Sequence, residues 1–417
     1  MQLKTILNRV QKFKSFVYGP VRWDEAAREP TIEVEVQPRR GSRPVCSCCC
    51  RKRPGYDTLA QRRFEFIPMW GIKVFFLYAP RRVNCPTCGV RVERMPWAEG
   101  KHRLTEAYAW FLAGWAKRLS WKEVAEAFRT SWDHVFNSVE MAVSWGRAHQ
   151  DLLGIKAIGI DEIQWQRGHK YLTLVYQIDA SCKRLLWVGN KRKVKTLLRF
   201  FRWFGKERTA QLGYVCSDMW KPYLKVIAKK AGGALHILDR FHIMAHLSKA
   251  IDEVRAGEAK ELKEKGYIPV LTKSRWLLLK RPENLTEKQE TKLADLLQYN
   301  LRSIRSYLLK EEFQLFWSYQ SPYWAGEFLD KWCTKTMRSK IEPMKKVARM
   351  LRSHRPLLLN WFRAKKQFSS GIVEGFNNKA KLTTRKAYGF KTYHAAEIAL
   401  YHALGALPVP ETAHEFF

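Results

Sequence analysis

Three acids and four thiols carry the chemistry that this sequence offers. Asp161 and Glu162 stand near the end of one apolar run, IKAIGIDEIQ (155–164), and Asp218 falls near the end of a second, GYVCSDMW (213–220). Two carboxylates brought together repel each other unless a cation lies between them. Mg²⁺ (or Mn²⁺) suits such a site, because it takes oxygen ligands and keeps waters and substrate phosphates in its other positions. Two such ions about 4 Å apart activate an attacking oxygen and stabilise a leaving one, the requirement of phosphoryl transfer. That chemistry needs a third acid. Glu374, in SSGIVEGFNNKAKLTTRKAYGFKTY, is one of two acids among residues 338–391, against 15 Lys and Arg. A salt-bridge role is its ordinary alternative, but a carboxylate so isolated fits a metal ligand beside a phosphate backbone better.

The thiols form two Cys-x-x-Cys knuckles, Cys46–Cys49 and Cys85–Cys88, separated by 35 residues. A two-residue gap lets both sulfurs of a knuckle reach one ion, so the pair suits a tetrahedral four-thiolate zinc site. Cys48 and Cys50 leave other pairings open, and a reduced, metal-free thiol cluster is the rival reading. Six of the nine cysteines lie within residues 46–88, which argues against a secreted disulfide framework.

These residues need elements to hold them. From Leu153 the pattern predicts strands at 155–164, 171–179 and 184–189, a helix at 194–204, a strand at 213–220, a helix at 223–231 and a strand at 234–239. That is the element order of the ribonuclease H-like fold, in which one acid sits on the first strand and another just beyond the fourth, where Asp161 and Asp218 fall. Glu162 neighbours Asp161 and should point to the opposite face. Glu374 opens a helix after a Ser-Ser-Gly turn. Asn377, Asn378, Lys381 and Arg385 share its face, so that face would lie along DNA while Glu374 reaches the metal. Residues 245–366 have helical spacing and read as an all-α insertion; most of their Trp residues should be core.

N-terminal to this core, FEFIPMWGIKVFFLYAPRRV, between the knuckles, alternates like a hairpin and predicts a ribbon with zinc at its base. Residues 104–118 read as a helix capped by Thr105. Ser120 and Glu123 form a capping-box pattern ahead of a short helix, and a turn near Arg129–Ser131 leads to another from Trp132. Val124, Ala125, Phe128, Val135 and Val139 would be their shared core, which resembles a DNA-reading helix-turn-helix.

Charge fits this organisation. The chain has 417 residues, with 75 Lys and Arg against 39 Asp and Glu, a net +36. Such a field attracts polyanions, nucleic acid above all. Residues 36–97 contribute +10, and residues 338–391 contribute +13. Arg51, Lys52, Arg53, Arg62, Arg63, Arg81 and Arg82 are candidate phosphate contacts. Apolar residues make up 46% of the chain, including 17 Trp, which excludes a disordered basic tail. With no membrane-length apolar run and no signal-peptide pattern, the expectation is a soluble, cytoplasmic protein.

Taken in order, the knuckles, GIDE (Gly159–Glu162), CSDMW (Cys216–Trp220), LDRFHI (Leu238–Ile243) and VEGFNNKAK (Val373–Lys381) resemble the DDE transposases of bacterial insertion sequences, in particular the zinc-finger-bearing L-three group. The resemblance covers nearly the whole chain. It implies Asp161, Asp218 and Glu374 as the catalytic triad, and terminal inverted repeats bound by the N-terminal domains. It implies hydrolysis at the element's ends, then attack of the freed 3′-hydroxyl on target double-stranded DNA, by at least a homodimer at the bacterial nucleoid. Asp239 and His242 look like the Asp/Cys-x-x-His element of related transposases, placing His242 near the site. The expected domains are a zinc-binding DNA-binding domain (1–100), a helix-turn-helix (101–150), a ribonuclease H-like core (151–245 and 367–417) and a helical insertion (246–366). The rival functions are a ribonuclease H-like nuclease without strand transfer and a catalytically inactive DNA-binding regulator.

Overall fold

In the computed structural model the chain forms two compact units, residues 1–151 with 383–417, and residues 152–382. The structure describes residues 3–25, 29–100, 102–267, 269–367, 371–386 and 389–411. The Ser-Ser-Gly turn before Glu374 lies in part outside them, as do Ala387 and Tyr388 of the VEGFNN-to-YGF block.

The unit 152–382 is built on a five-stranded sheet. The alternating and continuous apolar runs become β8 (Ala157–Gln166), β9 (Lys170–Ile178), β10 (Lys183–Asn190), β11 (Tyr214–Ser217) and β12 (Leu235–Leu238). Their order across the sheet is β10-β9-β8-β11-β12. β9 runs antiparallel to both β8 and β10, and β11 runs parallel to β8 and β12. The crossover helices Val194–Phe204 and Lys221–Lys230 bury Leu197, Phe200, Phe204, Tyr223 and Ile227 against Ile158, Ile160, Val175 and Val215. Central strands apolar on both faces, as β8 is over Ala157–Ile160, are what a sheet covered on both sides requires.

After β12 the helix Arg240–Glu264 starts directly, capped by Asp239. Six more α-helices follow to Arg363, and no strand occurs among the described residues of 245–366. Phe313, Phe316, Trp317, Trp332 and Phe362 form their aromatic centre. Trp317, Trp332 and Trp361 are buried, whereas Trp276 and Trp324 are exposed. Asn360 donates to the His236 carbonyl at 2.8 Å and so ties these helices to β12. The helix Gly371–Lys386 then returns to the sheet. A Cβ on Gly159 of β8 would stand 2.4 Å from Val373 Cγ2, so glycine allows this close approach.

The other unit opens with two sheets. β1 (Phe16–Asp24), β2 (Thr31–Pro38), β4 (Arg62–Met69) and β5 (Ile72–Tyr78) form one, in the order β1-β2-β5-β4, while β3 (Gly55–Thr58), β6 (Arg81–Cys85) and β7 (Gly89–Val92) form the other. The expected hairpin exists as β4–β5, turning at Trp70–Gly71. It is not a ribbon with the thiols at its base, however. Alternate residues Phe64, Phe66, Val74, Phe76 and Tyr78 bury against Phe16 and Trp97 in the four-stranded sheet, and the cysteines belong to the smaller sheet. Periodicity identifies a hairpin but does not say which sheet its apolar face will join.

Three helices follow, Glu106–Ala116, Trp121–Ala127 and Trp132–His149. Thr105 caps the first, and Ser120 with Glu123 closes a capping box on the second. Arg129 takes a positive φ in the turn, and Ser131 caps the third. Val124, Ala125, Val135 and Val139 are buried, and Phe128 packs on Phe111. The final helix, Tyr393–Leu404, joins this group: Arg147 lies over the Tyr401 ring, and Trp121 packs against Phe390. No helix of the described residues is long and apolar enough to cross a membrane.

Candidate active site

The register of two paired strands sets the geometry. β11 pairs with β8 so that Ser217 lies opposite Ile160. The next residue along each strand is Asp218 and Asp161, so Asp218, just past the end of β11, lies beside Asp161 within β8. Asp218 is fixed by the Trp220 backbone N–H, which donates to Oδ1 at 3.0 Å, and by Arg192, which donates to Oδ2 at 2.7 Å. Asp161 accepts the Glu162 N–H at 2.7 Å on Oδ1.

The helix Gly371–Lys386 supplies a further contact to Asp161. Asn377 Nδ2 donates to Asp161 Oδ2 at 2.5 Å, and Asn377 Oδ1 accepts the Tyr176 hydroxyl at 2.9 Å. Phe376 stacks on the Tyr176 ring. Helical spacing had placed Asn377 on a face lying along DNA. The structure corrects this: Asn377 is buried, and both ends of its amide are engaged inside the site. Glu374 is half-buried one helical turn before Asn377, hence on the same face. Asn378, Lys381 and Arg385 are exposed.

Glu162 turns the other way along the strand. Its side chain is only 7% exposed, and Oε1 lies 3.2 Å from Arg192 Nε without a hydrogen bond to either atom. Burial, reinforced by Asp218, pushes its carboxyl up to about 8. Arg192 therefore sits between Glu162 and Asp218, with its guanidinium 4.5 Å above the Trp220 ring. Neither Arg192 nor Tyr176 was found by sequence reasoning. Arg192 lies in a run of three basic residues, where nothing marks one of them as inward-facing.

His242 approaches from the first turn of the helix Arg240–Glu264. Its Nε2 is 3.9 Å from Asp161 Oδ2 and 3.7 Å from Asp239 Oδ2. Attraction to Asp161, against the opposing effect of burial, raises it to about 9. Ligand atoms of Asp161, Asp239 and His242 lie within 4.8 Å of one another, close enough to hold a metal ion. Asp218 and Glu374 are outside that group. His236 is buried and bonded to Ser217 at 2.8 Å, and Asp179 accepts from Lys156 N–H and Gln177, so both are occupied structurally.

A second cluster lies in the smaller N-terminal sheet. The sulfurs of Cys46, Cys49, Cys85 and Cys88 all lie within 4.8 Å of one another, a set able to hold a metal ion. Cys85 ends β6 and Cys88 lies in the turn to β7, where Gly89 takes a positive φ. Burial raises the Cys85 thiol, but backbone N–H groups of Thr87 and Cys88 outweigh it and bring it down to about 6. Cys48 and Cys50 are exposed.

Of the basic residues assigned to phosphate, Arg51 and Lys52 are exposed. Arg53 lies against the Cys49 and Cys85 sulfurs. Arg62 donates to the Gly100 and His102 carbonyls, Arg63 pairs with Glu33, and Arg82 with Asp57. Arg81 is corrected outright: its guanidinium is bound to buried Glu93, which also holds the Tyr78 hydroxyl, so it is a structural cation.

Residues 158–399 match a family model described as a transposase, of the ISL3 group. The chain is 30% identical over 398 residues to the transposase for insertion sequence element IS1557 of Mycobacterium tuberculosis, a match covering 89% of this chain and 88% of that protein. It is 28% identical over 374 residues to the transposase for insertion sequence element IS1001 of Bordetella parapertussis, covering 89% and 91%.

Proposed function

Because the chain belongs to the ISL3 family of transposases, we propose that it cleaves DNA at the terminal inverted repeats of an insertion sequence and joins the freed 3′-hydroxyl ends to target DNA. The observation that carries this reading is the register of β8 and β11, which brings Asp161 and Asp218 onto neighbouring strands, with Asn377 from the Glu374 helix bonded to Asp161. The sheet order β10-β9-β8-β11-β12, with β9 antiparallel, supports a ribonuclease H-like core.

Asp161, Asp218 and Glu374 are the proposed catalytic acids and the ligands of Mg²⁺ or Mn²⁺. The donor set fits a hard cation, since it offers carboxylate oxygens, with Asp161 and Asp218 on neighbouring strands. The bound ions would supply an activated attacking oxygen and a stabilised leaving oxygen for each in-line transfer. The protein's own part is positioning. Asn377 and Tyr176 orient Asp161, Arg192 and the Trp220 N–H orient Asp218, and His242, beside Asp161, is placed to contact a phosphate oxygen. The four-cysteine cluster fits Zn²⁺, because four sulfurs this close together are the soft donor set that zinc takes tetrahedrally. The zinc module and the capped helices 106–149, as a helix-turn-helix, would bind the inverted repeats. Two copies would bring two ends together at the bacterial nucleoid, in the cytoplasm.

End cleavage in Mg²⁺ by Asp161→Asn, Asp218→Asn and Glu374→Gln proteins tests the assignment. Each should lose cleavage, and wild-type rates in any one would remove that residue from the site. Joining of precut ends to a target plasmid separates transposition from nuclease action alone.

A further inference from the structure

A groove of about 580 Å³ lies between the helices Val194–Phe204 and Lys221–Lys230. Val194, Leu198 and Val226 contribute aliphatic lining, and Lys221, Lys225 and Lys229 line it with cations. The three lysines recur every four residues, so they form one row with a step of about 6 Å along the helix. All three are exposed, and none has a carboxylate partner among the described residues. Around them, residues 191–230 carry 12 Lys and Arg against Glu207 and Asp218, a net of 12 − 2 = +10. This equals the local charge of the cysteine-bearing region, yet it is spread over two crossover helices whose inner faces are core.

Position gives the patch its meaning. Lys221 follows Asp218 by three residues, and Trp220, the cap of the lysine helix, bonds Asp218 directly. The row therefore starts beside Asp218, at the end of β11, and runs away from it for about 12 Å. A like-charged row left unpaired costs self-repulsion that a polyanion relieves. The aliphatic lining offers no acceptor that would compete for the ammonium groups.

We propose that this groove is a DNA-contact surface: the phosphate backbone continuing from the scissile phosphate lies along Lys221, Lys225 and Lys229. The inference rests on the transposase reading above and adds to it a place where the catalytic unit itself grips the duplex.

The test uses the full chain and a fluorescent duplex carrying an element end with flanking DNA, with affinity followed by anisotropy from about 50 to 200 mM KCl. Each phosphate contact contributes about 0.9 to the slope of log affinity against log salt, so K221Q/K225Q/K229Q should lower that slope by about 2 to 3. A control, K260Q/K263Q/K288Q, removes the same charge from other exposed lysines of the same unit and should keep the wild-type slope. Wild-type melting of the triple variant establishes its fold, and K225Q alone should show about a third of the change. An unchanged slope in the lysine-row variant, or an equal fall in the control, overturns the groove and would leave it to an acidic polypeptide. Failure of the wild-type chain to bind the end duplex would instead overturn the transposase reading.

Discussion

Asn377 donates its side-chain amide to Asp161 Oδ2 at 2.5 Å across 216 residues of chain. The bond makes one candidate metal ligand dependent on the helix that carries another. It also engages the Tyr176 hydroxyl, a buried donor with no other partner among the described residues. Asn377→Ala should therefore lower Mn²⁺ affinity, read by calorimetry, and end cleavage by about 10- to 100-fold, the usual effect of removing a group that orients a ligand. Unchanged metal affinity would show that Asp161 does not depend on this amide.

Gly159 and Val373 set the distance between that helix and the sheet. Gly159→Ala places a methyl 2.4 Å from Val373 Cγ2 and should cost about 1 to 3 kcal/mol in urea unfolding, with reduced cleavage because Glu374 is the next residue. Val373→Ala added to it should restore most of both. Additive losses in the double variant would mean that the two side chains do not meet.

The cysteine cluster makes a compositional prediction. Protein purified without chelator should hold one zinc per chain. Cys85→Ser should lose it and lower the melting of the N-terminal sheets by roughly 5 °C or more. Cys48→Ser and Cys50→Ser should keep the metal, since both thiols are exposed and outside the set of four. Zinc loss in either would revise the pairing.

His236 makes stability fall with acid. Burial depresses it to about 4 in the folded chain, against an ordinary value of 6.5. Between those values the unfolded chain binds a proton that the folded chain does not. Its contribution is thus fully present above pH 6.5 and shrinks as pH falls toward 4, by about 2 kcal/mol at pH 5. Urea unfolding at pH 7.5 and 5 should show a smaller acid loss in His236→Asn than in the wild type. Equal losses would place the acid sensitivity elsewhere.

Much of this architecture is written locally. The five strands of the central sheet follow apolar runs, and Thr105, Ser120 and Ser131 announce their helices because capping is a matter of residues three apart. Asp161 and Asp218 could be located because each ends such a run. Partnerships between distant segments could not be read this way. Arg192 and Lys191 look alike in sequence, and only the placement of Glu162 and Trp220 decides which one turns inward. Asn377 has the right spacing for an outer face, and its burial follows from where Tyr176 lies on β9. Arg81 reads as a surface cation until Glu93 is found beneath it.

The bond between Asn377 and Asp161 also has a consequence in time. A ribosome delivers both sheet acids early, then more than a hundred residues of helix, and only then the segment that orients Asp161 and brings Glu374. Closing so long a loop is slow compared with local folding. A nascent or truncated chain thus carries two of the three proposed acids while Asp161 lacks its Asn377 amide. On the proposed reading, the ability to cut DNA would then arrive only after the segment that carries Asn377 and Glu374 has docked on the sheet.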